Sequence, residues 1–300
     1  MTCHADVDEP IDPPPIFVGG TGRSGTTILG NLLGSHPSYA VVPIELRFHT
    51  ETGGLMDVLS HRISMTHFVD RMNGPFFRRM TADGPRGLHL IADEQTVADS
   101  VEAFAEQFEV DRFMAARDLL LAFAQTIADR EGKQGWVEMT PWNIGVAPML
   151  SRIFPEMKLV HMIRDGRDVA ASVAGMWWGP NDPVDGLYWW FERIQGAEAA
   201  TRMLHRGGVH LVALEDLTVL NRETSLRELC DYLGISEAPL QPFFETEMTP
   251  ELAHVGRWRT GLDPETTRRI ERIYDAMVKD LTDHQVSCRP QPGHFEDATT

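Results

Sequence analysis

Short apolar runs recur along the chain at spacings that predict β-strands separated by helices. Five runs have the length and composition of strands: 16–19 (IFVG), 39–45 (YAVVPIE), 135–140 (GWVEMT), 158–163 (KLVHMI) and 209–214 (VHLVAL). Strands that alternate with helices form a parallel sheet covered by helices on both faces. The pattern therefore predicts an α/β fold built on a central parallel sheet.

Helical periodicity accounts for most of the chain between these strands. The predicted helices cover residues 25–35, 143–154, 168–176, 185–206, 222–234 and 263–281. Residues 53–131 are also mostly helical by periodicity, with breaks at "MNGP" and "DGPRG", and we expect them to form a helical insertion. Residues 1–14 predict a disordered arm and residues 285–300 a loose tail, which leaves 15–284 as a single domain.

The balance of charge is strongly acidic, since 44 Asp and Glu against 27 Lys and Arg give a net charge of −17. This charge argues against binding to nucleic acid or to an anionic membrane surface. The opening lacks the features of a signal peptide, and no apolar run is long enough for stable membrane insertion. We therefore expect a cytoplasmic protein, and a homo-oligomer remains open. The three cysteines are far apart and the histidines are scattered, so neither a disulfide framework nor a metal site is indicated.

A glycine-rich turn follows the first strand and leads into a helix, as in a phosphate-binding loop. Residues 19–27 read GGTGRSGTT, and such a turn directs backbone N–H groups and the positive helix end at one point. Thr26 replaces the lysine of nucleoside-triphosphate loops, and the cation stands earlier, at Arg23. A turn that merely connects strand and helix is one alternative. A nucleotide kinase or NTPase with a variant loop is another.

The segment GTGRSGTT resembles the 5′-phosphosulfate loop of sulfotransferases, which use 3′-phosphoadenylyl sulfate (PAPS) as the sulfuryl donor. This resemblance implies a P-loop-like fold and a donor that binds without a metal ion. It also implies that Arg23 reaches the sulfuryl and phosphate oxygens and acts in catalysis. The remaining donor-binding residues that it implies in this loop are Gly22, Ser24, Gly25, Thr26 and Thr27.

A second candidate phosphate site lies in "IRDGRDVAASV", residues 163–173. Arg164 and Arg167 flank the start of a helix and Ser172 lies in its first turns, so these side chains could hold an isolated phosphate. The neighbouring aspartates could instead pair with the arginines on the surface. The three residues match positions of the sulfotransferase 3′-phosphate motif. Two phosphate sites in this order fit a 3′,5′-bisphosphorylated adenosine.

The segment "HVGRWRTG" resembles the C-terminal basic loop of bacterial and Golgi-type sulfotransferases. The resemblance implies that Arg257 and Arg259 close over the 3′-phosphate, with Trp258 between them. The alternative is a surface loop that a buried Trp258 anchors without any contact to a ligand.

Sulfuryl transfer by in-line displacement requires a base that removes the proton of the acceptor hydroxyl. Glu45 follows the second strand, and this region resembles the tyrosylprotein and heparan sulfotransferases, in which a glutamate after the second strand has that role. The resemblance implies that Arg47 meets the acceptor. His49 is the reserve base, placed with the substrate-binding residues. An ordinary ion pair between Glu45 and Arg47 is the alternative.

Two positions depart from the family pattern. Met139 stands in "VEMTP" where a lysine commonly stabilises the leaving phosphate, and Leu214 replaces a tyrosine of the donor site. Aromatic residues between Trp177 and Trp190 line either an acceptor pocket or, as helical spacing favours, the core.

The sequence as a whole predicts a PAPS-dependent sulfotransferase that acts on a hydroxyl of a small-molecule or glycan acceptor. A kinase or NTPase would differ from it by a dependence on Mg²⁺. A nucleotide-binding protein without turnover would keep both phosphate sites, and the loss of the lysine at Met139 keeps that alternative open.

Overall fold

A five-stranded parallel sheet lies at the centre of the computed structural model, which describes residues 13–205 and 207–290. The strands of this part of the chain are β1 (Ile16–Gly20), β2 (Tyr39–Val41), β3 (Arg79–Thr81), β4 (Gly84–Arg86), β5 (Gly135–Glu138), β6 (Lys158–Ile163) and β7 (His210–Ala213). The order in the sheet is β2-β5-β1-β6-β7. Because β1 is central, the loop after it opens at the carboxyl edge, where open α/β sheets bind their ligands.

Helices cover both faces of this sheet, so the predicted α/β fold is confirmed. The α-helices of the described chain are α1 (Thr26–Gly34), α2 (Leu55–Leu59), α3 (Met65–Arg71), α4 (Glu94–Arg130), α5 (Ala147–Ile153), α6 (Gly166–Val173), α7 (Pro183–Thr201), α8 (Arg222–Leu233), α9 (Gln241–Glu247), α10 (Pro250–Ala253) and α11 (Pro264–Asp283). None of them is both long and apolar enough to cross a bilayer.

The alternation of side chains along β1 divides the core into two layers. Phe17 packs into a cluster with α4, α5, α7 and α11, whereas its neighbours Ile16 and Val18 pack on the opposite face with α1, α8 and α9. All three side chains are fully buried. A strand that is apolar on both faces is what a doubly covered parallel sheet requires.

Two strands end earlier than the apolar pattern predicts, because prolines follow them. β2 ends at Val41. The N–H of Val42 still donates to the carbonyl oxygen of Val137, but Pro43 has no N–H and cannot continue the pairing. β5 stops at Glu138, and its carboxylate accepts the backbone N–H of Thr140 just before Pro141.

The predicted helical insertion contains α2, α3 and α4, but it also contains an antiparallel hairpin that the sequence pattern does not reveal. Strands β3 and β4 pair around a turn with Gly84 at φ 106°. Helix α4 is bent at Asp111, where the backbone leaves the helical region and the carboxylate accepts the N–H groups of Phe113 and Met114.

Both predicted terminal segments are partly described. Most of the predicted arm, residues 1–12, lies outside the described residues, as do residues 291–300 of the predicted tail. Residues 285–290 pack against α7, because the backbone N–H and hydroxyl of Ser287 donate to Glu198 and the Cys288 side chain is buried. A loose tail therefore cannot begin before residue 291.

Candidate active site

The loop between β1 and α1 is shaped to receive an anion. Gly22 and Gly25 have φ values of 89° and 96°, which glycine adopts without steric cost. Arg23 between them also has a positive φ, 58°. No N–H group from Gly22 to Gly25 donates a hydrogen bond to any described residue. The turn thus presents free donors at the amino end of α1.

Hydroxyl groups support this loop from within and line the cleft beside it. The Ser24 hydroxyl is buried beneath Gly20 and has no hydrogen-bond partner among the described residues. A Cβ at Gly20 would lie 2.3 Å from that oxygen, so only glycine fits there. Thr26 and Thr27 open the first turn of α1 and line the adjacent cleft.

The two predicted phosphate sites are in direct contact. Arg23 Nε donates to Ser172 Oγ at 3.0 Å, and Arg164 donates to the carbonyl oxygen of Arg23, also at 3.0 Å. Burial, with the charges of Arg164 and Arg257, lowers the pKa of Arg23. A locally basic cluster therefore exists in a protein whose net charge is −17.

Arg164 and Asp168 tie the C-terminal basic loop to α6. The buried Arg164 guanidinium donates to the carbonyl oxygens of Ala253 and His254, at 3.0 and 2.9 Å. The Asp168 carboxylate accepts the N–H groups of Gly256 and Trp258, at 2.7 and 3.1 Å. Burial of this carboxylate raises the pKa of Asp168.

In the C-terminal basic loop, Trp258 is buried, as expected for a surface loop that this side chain anchors. Arg257 and Arg259 on either side of it are exposed. The loop therefore combines a structural anchor with two available cations.

Arg167 is not brought to the cleft. Its guanidinium makes hydrogen bonds to both carboxylate oxygens of Asp165 and lies between the rings of Trp258 and Tyr274, 4.3 and 4.4 Å from their centroids. Burial by itself lowers the pKa of Arg167, but the Asp165 carboxylate raises this pKa by more, so that it lies above the ordinary value for arginine. The sequence left open that Arg167 pairs with a neighbouring aspartate on the surface. The pair with Asp165 is present, but it is buried.

Glu45 and Arg47 lie at the edge of the cleft in a chain of charges. Arg47 Nε donates to Glu45 Oε2 at 2.7 Å, and Arg47 Nη1 donates to Glu51 Oε1 at 3.2 Å. Arg79 contacts the other oxygen of Glu51 at 3.3 Å. The Glu45 carboxylate is half-buried and lines the cleft, so a proton acceptor is available there.

His49 lies behind the site rather than in it. Its ring is fully buried, and Nε2 is 2.6 Å from Asn143 Oδ1 and 3.5 Å from Glu138 Oε2. No atom of His49 lines the cleft, so the structure offers it no contact with an acceptor.

Glu138 is a positioning residue that the sequence reasoning missed. The carboxylate accepts hydrogen bonds from Leu46 N, Thr140 Oγ1 and Asn143 Nδ2. Burial by itself raises the pKa of Glu138, but His49 and the hydrogen bonds from Thr140 and Asn143 lower this pKa overall. The signals of Glu138 in the sequence were a charged residue at the end of an apolar strand and its place in the segment VEMTP.

A cleft of about 740 Å³ joins these elements. Arg23, Glu45 and Arg164 line it, and Leu214 forms part of the wall, close to Gly25. A smaller cavity of about 350 Å³ shares Glu45 with the cleft and includes Met139. The described residues contain no group of three or more acidic, His or Cys side chains placed to hold a metal ion.

The aromatic segment divides between core and cleft. Trp190 is fully buried in the core, whereas Trp178 and Trp189 line the cleft. Trp177 lies on the rim, and its Nε1 donates to Asp83 Oδ2 at the tip of the β3–β4 hairpin, at 3.0 Å.

Known proteins that are similar to this chain are sulfotransferases. Residues 14–239, most of the chain, match a family model described as Sulfotransferase family. Protein-tyrosine sulfotransferase 2 of Gallus gallus is 26% identical over 240 residues, which cover 78% of this chain and 54% of that protein. The chain thus spans about half the length of this curated relative.

Among solved structures, the sulfotransferase domain from the Synechococcus PCC 7002 olefin synthase is similar, with a TM-score of 0.53 and 18% identity. The similarity covers 89% of this chain and 96% of that domain, and it shows a shared fold. On the strength of the family match, this chain belongs to the sulfotransferase family.

Proposed function

We propose that this protein transfers a sulfuryl group from PAPS to a hydroxyl of a small-molecule or glycan acceptor. The observation that carries the proposal is the direct contact between the two candidate phosphate sites, through Arg23, Ser172 and Arg164. A 3′,5′-bisphosphorylated nucleotide needs two anion sites that open into one cleft. A nucleoside triphosphate needs only the first of them.

The side chains and backbone at both sites fit such a donor. The N–H groups of the first loop and the Ser24 hydroxyl are unpaired among the described residues, as is the buried Arg164 Nε. Buried donors of this kind are costly unless a ligand or water accepts their hydrogen bonds. Arg23, Arg164 and Arg257 supply the positive charge.

The proposed chemistry is a single in-line displacement. The acceptor oxygen attacks the sulfur atom, the bond from sulfur to the 5′-phosphate oxygen breaks, and adenosine 3′,5′-bisphosphate leaves. The Glu45 carboxylate takes the hydroxyl proton while Arg47 holds that carboxylate in place. Arg23 stabilises the charge on the leaving phosphate, because Met139 cannot.

Nucleotide binding tests this proposal. Adenosine 3′,5′-bisphosphate should raise the melting temperature without magnesium, and it should do so more than ATP does. Calorimetry should give the same ranking of affinities. Tighter binding of ATP with Mg²⁺ than of the bisphosphate would contradict the proposal and favour a kinase or NTPase.

A further inference from the structure

A cationic side chain lies between two tryptophans in the wall of the cleft. Arg193 and Trp189 are one turn apart on α7, and both line the cleft. The Arg193 guanidinium is 4.2 Å from the ring centroid of Trp142 and 5.2 Å from that of Trp189. Aromatic faces attract a cation in this geometry and keep water from part of its surface.

The Trp142 ring is held firmly in this arrangement by two glycines. A Cβ at Gly145 would lie 2.1 Å from the Trp142 ring, and a Cβ at Gly196 would lie 3.0 Å from it. The ring is therefore confined between the backbone of its own turn and that of α7. The Arg193 guanidinium packs on the face of this confined ring, so the fold sets its orientation.

Arg193 differs from the other arginines of the cleft in that its contacts among the described residues are to aromatic rings rather than to polar groups. Arg23 donates to Ser172, Arg47 to Glu45 and Arg86 to Asp83, whereas Arg193 makes no hydrogen bond or ion pair with any described residue. Burial lowers the pKa of Arg193, and the nearby Glu192 only partly opposes this. Unpaired guanidinium donors that face a cleft, partly out of water, are a binding site for an anion.

This cation lies with the residues assigned to the acceptor. Trp142 follows Thr140 by two residues, and the hydroxyl oxygen of Thr140 accepts the backbone N–H of Arg47. Trp189 packs against Trp178, whose neighbour Trp177 contacts the hairpin at Asp83, and the tip of the Trp189 ring also lies close to Gly22 of the loop after β1. The contacts of Arg164, by contrast, are to Arg23, Ala253 and His254.

We propose that Arg193 binds a carboxylate of the acceptor, and that Trp142 and Trp189 bind the apolar part of the molecule beside it. A single negative charge fits this site better than a phosphate dianion, because the Arg193 guanidinium between the two rings supplies one positive charge. The acceptor is then a hydroxy acid with an apolar body. This inference rests on the proposed function.

The test compares hydroxy acids with their methyl esters, which keep the hydroxyl and the apolar body but lack the charge. The panel contains aromatic and straight-chain members, among them 4-hydroxyphenylacetate. Binding is measured by ligand-observed NMR on protein saturated with adenosine 3′,5′-bisphosphate, and transfer is measured with PAPS. At least one acid should bind more tightly than its ester by about tenfold or more.

The variants assign this preference to one side chain. Arg193→Met should remove the preference for acid over ester while leaving the affinity for adenosine 3′,5′-bisphosphate unchanged. Arg193→Lys keeps the positive charge and should retain part of the preference for the acid. It serves as a second test of the charge should Arg193→Met fail to fold. Arg268→Met, an exposed position on α11 that does not line the cleft, is the matched control and should behave as the wild type.

Three results would overturn the inference without touching the proposed function. They are equal binding of acid and ester by the wild type, no binding of either across the panel, and an acid preference that survives in Arg193→Met. Loss of bisphosphate affinity in Arg193→Met would instead place this arginine at the donor. Failure of the wild type to bind the bisphosphate would contradict the proposed function and, with it, this inference.

Discussion

Arg23 and Ser172 are 149 residues apart in the chain, yet the Arg23 Nε donates a hydrogen bond to the Ser172 hydroxyl at 3.0 Å. Arg23 belongs to the loop after β1 and Ser172 to helix α6, which follows β6, so the bond joins the segments that follow two adjacent strands. The position of the Arg23 guanidinium therefore depends on the second site as well as on its own loop.

Ser172→Ala should weaken binding of adenosine 3′,5′-bisphosphate by about tenfold, because it removes a hydroxyl from the site and frees the Arg23 side chain. In a double-mutant cycle with Arg23→Met, the two losses should not add, with a coupling energy above about 0.5 kcal/mol. Calorimetry on the four proteins measures this coupling. Ser225→Ala on α8 is the control, and strictly additive losses would show that the two side chains act independently.

Arg164→Met should reduce affinity for adenosine 3′,5′-bisphosphate far more than affinity for adenosine 5′-monophosphate. The proposed partner is the 3′-phosphate, and loss of a charged hydrogen bond costs about 1.5 to 3 kcal/mol. The variant should also melt at a lower temperature, since Arg164 holds two carbonyl groups of the segment before the basic loop. Equal weakening of both nucleotides would contradict the 3′ assignment and leave Arg164 a purely structural role.

Glu45→Gln should leave adenosine 3′,5′-bisphosphate affinity intact and reduce turnover by about 10²- to 10⁴-fold, because an amide cannot take the acceptor proton. Glu51→Gln is the matched control, since Glu51 also pairs with Arg47. Turnover is measured under saturating PAPS with the best acceptor of the hydroxy acid panel. A similar loss in both variants would mean that Glu45 acts by holding the Arg47 side chain in place rather than by proton transfer.

Glu215 should make stability depend on pH. Its carboxyl is fully buried and accepts the Asp165 N–H at 3.0 Å, and burial, followed by the charge of Asp165, raises its pKa to about 8. An unfolded glutamate titrates near 4.5, so between these values the native state holds a proton that the unfolded chain releases. This contribution to stability is present below about pH 4.5 and is lost as the pH rises to about 8.

Glu215→Gln should therefore flatten the fall in unfolding free energy between about pH 5 and 8, by up to about 1.4 kcal/mol per pH unit. Urea denaturation at several pH values measures the slope for each protein. The exposed Glu223→Gln should keep the slope of the wild type. An unchanged slope in Glu215→Gln would show that this carboxyl is ionised in the native protein.

The sheet and the loop after β1 could be predicted because their patterns are local. Buried parallel strands are apolar throughout, and a glycine turn between strand and helix has few other uses. The hairpin of β3 and β4 could not, since strands of three residues have too few positions for alternation to show. Pro43 indicates the early end of β2, but a prediction based on apolar residues alone does not take this proline into account.

Side-chain directions were the part of the site that the sequence could not provide. Arg164 and Arg167 are three residues apart at the start of one helix, yet one faces the loop after β1 and the other a buried carboxylate and two rings. Likewise Glu45 lines the cleft while His49, four residues later, is in the core. Which of two neighbouring polar residues reaches a ligand depends on partners far away in the chain.

The hold of Asp168 on the N–H groups of Gly256 and Trp258 has a kinetic consequence. A basic loop that had to close over a nucleotide would lose its conformational entropy during binding and would add a slow step. Here that entropy is lost when the chain folds, so Arg257 and Arg259, if they bind the nucleotide as proposed, are already in place when it arrives. Association should follow a single exponential limited by encounter, and its rate should fall with ionic strength. In Asp168→Asn a second, concentration-independent phase should appear as the loop reorders.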